Sequence, residues 1–210
     1  MPELNTWLKL APAFRREMDC ADAQAAIAAV RALGRERVVT FVGFSALGYE
    51  DETAVRDIIV RDLANFDPDD TLVCAGATSE GIGMVYAVAV QRGFRTAGIV
   101  SALARAEGVP LSAECEAVCF VDDTTWGGTQ PSGRLSATSQ ATVDACSVMI
   151  GIGGGAIARD ELQHARSKGK TVRFHNADMN HALAAQKAAK SGKPAPQDFA
   201  GEAQSLFANV

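Results

Sequence analysis

The stretch Cys146-Ser-Val-Met-Ile150, followed at once by Gly151-Ile-Gly-Gly-Gly155, carries the most information about the fold. Its first five residues form an apolar run of the kind found in buried strands, and the residues from Ala156 to Lys168 have the character of a helix. Glycines between a strand and a helix leave backbone N–H groups open to a ligand, and the positive end of the helix dipole favours an anion there. The stretch therefore predicts a phosphate-binding turn.

A second turn of the same kind, Gly76-Ala-Thr-Ser-Glu-Gly-Ile-Gly83, follows the apolar run Thr71–Ala75 and precedes another helical segment. In an open parallel sheet, ligands bind at the carboxyl ends of the strands, so we expect the two turns to hold one phosphorylated ligand together. The alternative is that these glycines only permit close packing of helix against strand.

The rest of the chain repeats the alternation of short apolar runs with helical segments. This pattern predicts an α/β fold of Rossmann type, a parallel sheet with helices on both faces. Strands are predicted at 37–43, 71–75, 95–100, 116–121, 147–150 and 171–175. We expect one domain over 1–210, with a core at about 37–175, an N-terminal helix at 22–33 and a helical tail at about 179–210. The tail could pack on the body, pair with a second subunit or be mobile.

Composition excludes several classes of function. The chain has 210 residues, a formal net charge of -5 and no segment that concentrates Lys and Arg, so we expect no nucleic-acid partner. Its start lacks the pattern of a signal peptide, and no apolar run approaches a membrane span, so we expect no membrane partner. Five cysteines, an odd number, lie partly in apolar runs and are typical of core thiols in a reducing cytoplasm. The predicted location is therefore cytoplasmic.

Other familiar site types do not fit. A short-chain dehydrogenase needs a Tyr-x-x-x-Lys pair, yet Tyr86 is followed at that spacing by Val90, and Tyr49 by Thr53. The strand that follows the 76–83 turn has no acidic residue at its end to bind a ribose as dinucleotide enzymes do. The histidines and cysteines lack the spacing of a zinc site. We therefore predict no metal and no cofactor.

Two segments resemble the superfamily that joins the LONELY GUY phosphoribohydrolases, the DNA-processing Smf proteins and the N-terminal domains of melastatin-type TRP channels, known as SLOG. Residues 76–101 are similar to its pattern of glycine turn, small-residue helix and strand, and residues 153–161 to its Gly-Gly-x-Gly-Thr-x-x-Glu motif. Ile157 and Ala158 stand where LONELY GUY proteins have Gly-Thr, and Thr138 stands near the position of their catalytic arginine. These departures favour the branch of prokaryotic relatives of the channel domain, for which the resemblance implies nucleotide sensing.

The candidate catalytic residue is Glu161, which shares a helix face with Ala158 and Ala165 and is expected to point along the top of the sheet. It could serve as an acid or base or stabilise an oxocarbenium-like ribosyl centre; alternatively, it is a helix acid favoured by the dipole. Trp126 could stack on a base or anchor its loop, and Arg134 could bind phosphate. The predicted ligand-binding residues are Gly43, Phe44, Ser45, Gly76, Ala77, Thr78, Ser79, Glu80, Gly81, Gly83, Trp126, Arg134, Gly153, Gly154 and Gly155.

Together these features predict a nucleotide-binding, sensor-like domain for a small phosphorylated nucleoside such as an ADP-ribose or NAD-derived ligand. The alternative is an N-glycosidase, a nucleoside 5′-monophosphate phosphoribohydrolase of the LONELY GUY type. The resemblance also implies self-association, so a homodimer is expected. A third class, a structural partner within an oligomer, stays open.

Overall fold

A computed structural model describes residues 15–207 and contains a seven-stranded sheet in the order β1-β5-β4-β3-β2-β6-β7. Every neighbouring pair of strands is parallel, so the α/β, Rossmann-like prediction is confirmed. The strands are β1 Arg16–Cys20, β2 Arg37–Gly43, β3 Thr71–Ala75, β4 Arg95–Ser101, β5 Ala117–Val121, β6 Val148–Ile152 and β7 Thr171–His175. The helices are α1 Ala23–Arg31, α2 Glu52–Leu63, α3 Met84–Gln91, α4 Leu103–Ala106, α5 Ala137–Ala145, α6 Ala156–Ser167 and α7 His181–Lys190.

Side chains alternate across β2 and thereby assign the helices to the two faces of the sheet. Val39 and Phe41 pack into a core with α2 and α3, whereas Val38 and Val42 face the layer formed by α1, α5 and α6. The central strands are apolar on both faces because both are covered, as is usual for parallel sheets. All five cysteines are buried and unpaired, which confirms the prediction of core thiols.

The helices differ in how they begin. Side-chain oxygens of Asp22, Asp51, Ser136 and Asn180 accept from backbone N–H groups in the first turns of α1, α2, α5 and α7. Such caps satisfy donors that have no partner within the helix. By contrast, α6 is preceded by Gly155 and has no side-chain cap, and α3 and α4 also lack one. The sequence thus leaves the start of α6, at the carboxyl end of β6, without the cap that those four helices have.

Two predicted boundaries need correction. Strand β1 was not predicted, because Arg16-Glu-Met-Asp-Cys20 has few apolar residues; it pairs with β5 at the edge of the sheet and extends the core beyond 37–175. Strand β6 continues through Gly151 to Ile152, so the turn consists of Gly153–Gly155 alone. A Cβ at Gly151 would lie 2.8 Å from Leu162 and Phe174 side-chain atoms, so this glycine permits close packing of α6 on the sheet.

The tail packs on the body of the protein, which is one of the three arrangements that the sequence left open. Ala203 lies in a 3₁₀ turn, Glu202–Leu206, and is fully buried against α6. The Phe207 ring stacks on that of Phe174 with centroids 4.4 Å apart.

Within residues 15–207, no helix is long and apolar enough to cross a bilayer.

Candidate functional site

A cavity of about 620 Å³ opens at the carboxyl ends of the central strands. Its floor is formed by β2 and β4, and its walls by the 76–83 turn, α5 and α6. From β2 the chain builds the sheet out to β5 and then crosses back to place β6 on the other side of β2. Open α/β sheets bind ligands at such a reversal, and the volume falls within the roughly 300–1,000 Å³ of small-molecule sites. This cavity is the candidate site.

Glu161 forms part of the wall of this cavity. It lies on the buried face of α6 with Ala158 and Ala165, and 7% of its surface is exposed, so the predicted orientation is confirmed. The pKa of Glu161 is raised from its ordinary value of 4.5 to about 7, chiefly because burial disfavours the charged form; the hydrogen bond from Ser139 opposes the increase, and the charge of Asp160 adds a smaller one. Near neutral pH the group can therefore donate or accept a proton. A catalytic role stays a prediction.

A short chain of hydrogen bonds holds Glu161 in place. The Ser139 hydroxyl donates to Glu161 Oε1 at 2.7 Å, and the Gly128 N–H donates to Ser139 Oγ at 2.7 Å. In the described part of the chain, Ser139 is the hydrogen-bond partner of this carboxylate, so Oε2 is left for a ligand. Sequence reasoning missed Ser139, because the contact joins α5 to α6 across 22 positions and no local spacing signals it.

Some residues of the 76–83 turn face the cavity, and others pack against neighbouring parts of the protein. Gly76 and Glu80 line the cavity together with Thr78 and Ser79. The Ala77 N–H points inward and donates to Tyr86 Oη at 3.0 Å. At Gly81 and Gly83 an added Cβ would overlap the carbonyl oxygens of Phe44 and Thr78 respectively. At these two glycines the geometry matches the packing alternative.

The 153–155 turn lies outside the cavity lining. The Gly153 N–H donates to the His175 carbonyl at 2.9 Å, and the Gly154 carbonyl accepts from Ala203 of the tail at 2.9 Å. A Cβ at Gly154 would lie 2.6 Å from the Ala158 Cβ. These contacts engage part of the backbone that was predicted to hold phosphate.

Phe44 separates the two glycine turns. Its carbonyl lies against Gly81, and its ring lies against Gly153 and Gly201. The side chain is buried within the core and does not line the cavity, and neither does Gly43, whose missing Cβ makes room for the Tyr49 hydroxyl. The expected single cradle made by the two turns is therefore not formed in this structure.

The loop 122–135 brings Trp126 to the cavity and leaves Arg134 outside it. Hydrogen bonds from Gly128 to Ser139 and from the Thr129 N–H to Asp160 Oδ2, 2.8 Å long, attach the loop to α5 and α6. Trp126 lines the cavity with 42% of its surface exposed, and Ser45 lines it from the loop after β2. Arg134 is exposed and absent from the lining, and in residues 15–207 no group of three or more His, Cys, Asp or Glu is placed to hold a metal ion.

No protein-family model and no curated protein matches the chain. Among solved structures it is similar to TM1055, a structural-genomics target, with 19% identity over 65% of this chain and 72% of that chain and a TM-score of 0.46. It is also similar to the molybdenum cofactor carrier protein of Chlamydomonas reinhardtii in two structures. The first has 16% sequence identity, covers 67% of this chain and 76% of that chain, and has a TM-score of 0.47. The second has 15% sequence identity, covers 84% of this chain and 100% of that chain, and has a TM-score of 0.46. Because these TM-scores lie below 0.5, the fold assignment rests on the sheet of this chain itself.

Proposed function

We propose that this protein binds a nucleoside-containing small molecule in the cavity at the carboxyl ends of β2, β3 and β4. The observation that carries the proposal is the placement of Glu161, Trp126 and the 76–83 turn around one cavity at the reversal of strand order. Trp126 offers an aromatic face for a base, and Glu161 Oε2 offers an acceptor for a ribose hydroxyl. ADP-ribose and NAD-derived nucleotides are the specific ligands of this proposal, and the SLOG superfamily, in its channel-related branch, is the proposed family.

Binding is tested by isothermal titration with AMP, NAD and ADP-ribose at up to millimolar concentration, together with thermal unfolding. A ligand that binds only the folded state raises the melting temperature with concentration. The absence of heat and of any thermal shift with all three compounds overturns ADP-ribose and NAD-derived nucleotides as the ligands, and the binding of a nucleoside as such is tested by titration with adenosine. Sedimentation velocity tests the homodimer that we propose alongside it.

A second candidate function is hydrolysis of an N-glycosidic bond, favoured by the pKa of about 7 at Glu161. In its protonated form Glu161 would donate a proton to the departing base as the bond from the base nitrogen to C1′ breaks. The resulting carboxylate would take a proton from the water that attacks C1′, which yields free base and a ribose product. The proton that leaves the attacking water restores the one given to the base, so the reaction balances with Glu161 and water alone.

The substitution Glu161→Gln tests the hydrolysis, because the amide keeps an acceptor for Ser139 but cannot transfer a proton. Incubation with AMP, NAD and ADP-ribose is followed by chromatography for free base and ribose phosphate. If the protein is an enzyme, E161Q lowers turnover by about 100-fold or more, whereas Glu107→Gln, at an exposed site outside the cavity, leaves it unchanged. Binding without product in the wild type rejects the hydrolase.

A further inference from the structure

The charges around the cavity are unusual for a site that binds a polyanion. The charged side chains that line it are Glu80, Glu161 and Lys187. Lys187 and Glu80 are exposed, whereas Glu161 is buried. Among the described residues, the buried part of the wall therefore contains a carboxyl group and no cation.

The remaining walls are mostly apolar. Phe41, Val42, Ile99 and Val100 form the floor, and the rim includes Ile157. An apolar wall stabilises a ring system through contact and burial, but it leaves a charged group without the hydrogen bonds it had in water. The interior of the cavity thus matches an uncharged, ring-containing compound.

Arginines near this end of the sheet do not supply the missing charge. Thr138, which stands near the position where the family resemblance places an arginine, lines the cavity and is uncharged. Arg134 lies outside the lining, and Arg159 forms an ion pair with Asp160 at 2.8 Å. A phosphate in the cavity would have Lys187, at its exposed edge, as its one cationic neighbour among the lining residues.

We propose that the cavity selects an uncharged nucleoside and binds the 5′-phosphorylated forms of the same nucleoside more weakly. This inference rests on the proposed binding of a nucleoside-containing molecule in this cavity, and within that class it ranks uncharged nucleosides above ADP-ribose and NAD-derived nucleotides. The ribose hydroxyls donate to Glu161 Oε2, and the base lies along the apolar floor beneath Trp126. A phosphate group would lose part of its hydration on entering the cavity, and the attraction of a single exposed lysine does not offset this loss, because burial of an uncompensated charge is strongly unfavourable.

The test is titration calorimetry of the full chain with adenosine, AMP and ADP-ribose in the same buffer. The expected dissociation constant for adenosine is at least tenfold lower than that for AMP. If AMP or ADP-ribose binds as tightly as adenosine or more tightly, this inference is overturned while the proposed function stands. If none of the three binds, the proposed function fails and the inference fails with it.

A pair of exposed valines provides a matched test of the electrostatic cause. Val109 lines the cavity and is 37% exposed, whereas Val90 lies on α3 away from the cavity and is 43% exposed. Val109→Arg adds a cation at the rim and is expected to improve AMP binding relative to adenosine by threefold or more, and Val90→Arg is expected to leave that ratio unchanged. An unchanged ratio in V109R, or an equal change in both variants, overturns the inference.

Discussion

At the scale of single residues, burial changes the acid–base chemistry of Glu161. The carboxyl is buried on the sheet-facing side of α6 and has one hydrogen-bond donor, Ser139, among the described residues. Burial in an environment of low polarity disfavours the charged form, and one hydroxyl does not compensate. The side chain therefore exchanges its proton near neutral pH, where an ordinary surface glutamate is fully ionised.

This burial predicts a pH-dependent stability. Because the pKa of Glu161 rises from 4.5 to about 7 on folding, the folded state holds a proton between these pH values that the unfolded state has lost. Stability therefore falls as pH rises through this window, by roughly 3 kcal/mol from this residue. Urea denaturation at pH 5 and pH 8 measures the change, and E161Q, which does not titrate, is expected to lack this part of it. Identical pH dependence in both proteins contradicts the prediction.

At the scale of elements, β4 and the 76–83 turn approach each other so closely that a glycine is required between them. An added Cβ at Gly98 would lie 2.5 Å from the Ala77 Cβ, and Ala77 itself has a φ of 58°. This left-handed conformation is unfavourable for alanine and is maintained by the hydrogen bond from its N–H to Tyr86 Oη. The backbone of the turn is therefore fixed by its neighbours.

The substitution Gly98→Ala is expected to lower the free energy of unfolding by about 1–3 kcal/mol, because the new methyl group has to displace the turn. Gly76→Ala is the matched control: no atom lies within 4 Å of the Cβ it would add, and its φ is not in the left-handed region. We expect G76A to stay within about 1 kcal/mol of the wild type in urea denaturation. Equal stability of the two variants would show that the turn adapts to the added methyl group.

At the scale of the whole molecule, the tail packs against the β7 edge of the sheet. Phe207 stacks on Phe174 of β7, Ala203 packs on α6, and its N–H donates to the carbonyl of Gly154. The Arg166 guanidinium lies 5.3 Å from the centre of the Phe207 ring. The tail thus restrains the 153–155 turn and the β7 edge at once.

Phe207→Ala is expected to lower the free energy of unfolding by about 1–2 kcal/mol, since it removes the stacked ring pair. Hydrogen exchange should become faster in β7, residues 171–175, because the tail no longer restrains that edge. Ser205→Ala, an exposed position on the same 3₁₀ turn, serves as the control and should change stability by less than about 0.5 kcal/mol. Unchanged exchange in F207A would mean that the tail does not stabilise the sheet edge.

The sequence by itself determined the bounds of three strands and indicated the orientation of the candidate acid. The bounds of β2, β3 and β7 agree with those predicted, and each of these apolar or mixed runs directly follows a charged residue. The helical period places Glu161 on one face of α6 with Ala158 and Ala165, and that face is buried. Such features are local, since their physical cause lies within one turn of helix or one strand.

Only the tertiary structure decided which of the predicted site residues meet. It placed Ser139 against Glu161, inserted Phe44 between the two glycine turns, and closed the tail over Gly154. It also gave the weakly apolar segment Arg16–Cys20 its strand conformation through pairing with β5. Each of these contacts joins segments that are distant in the chain, and their free energy comes from packing and hydrogen bonds that no local pattern of residue types contains.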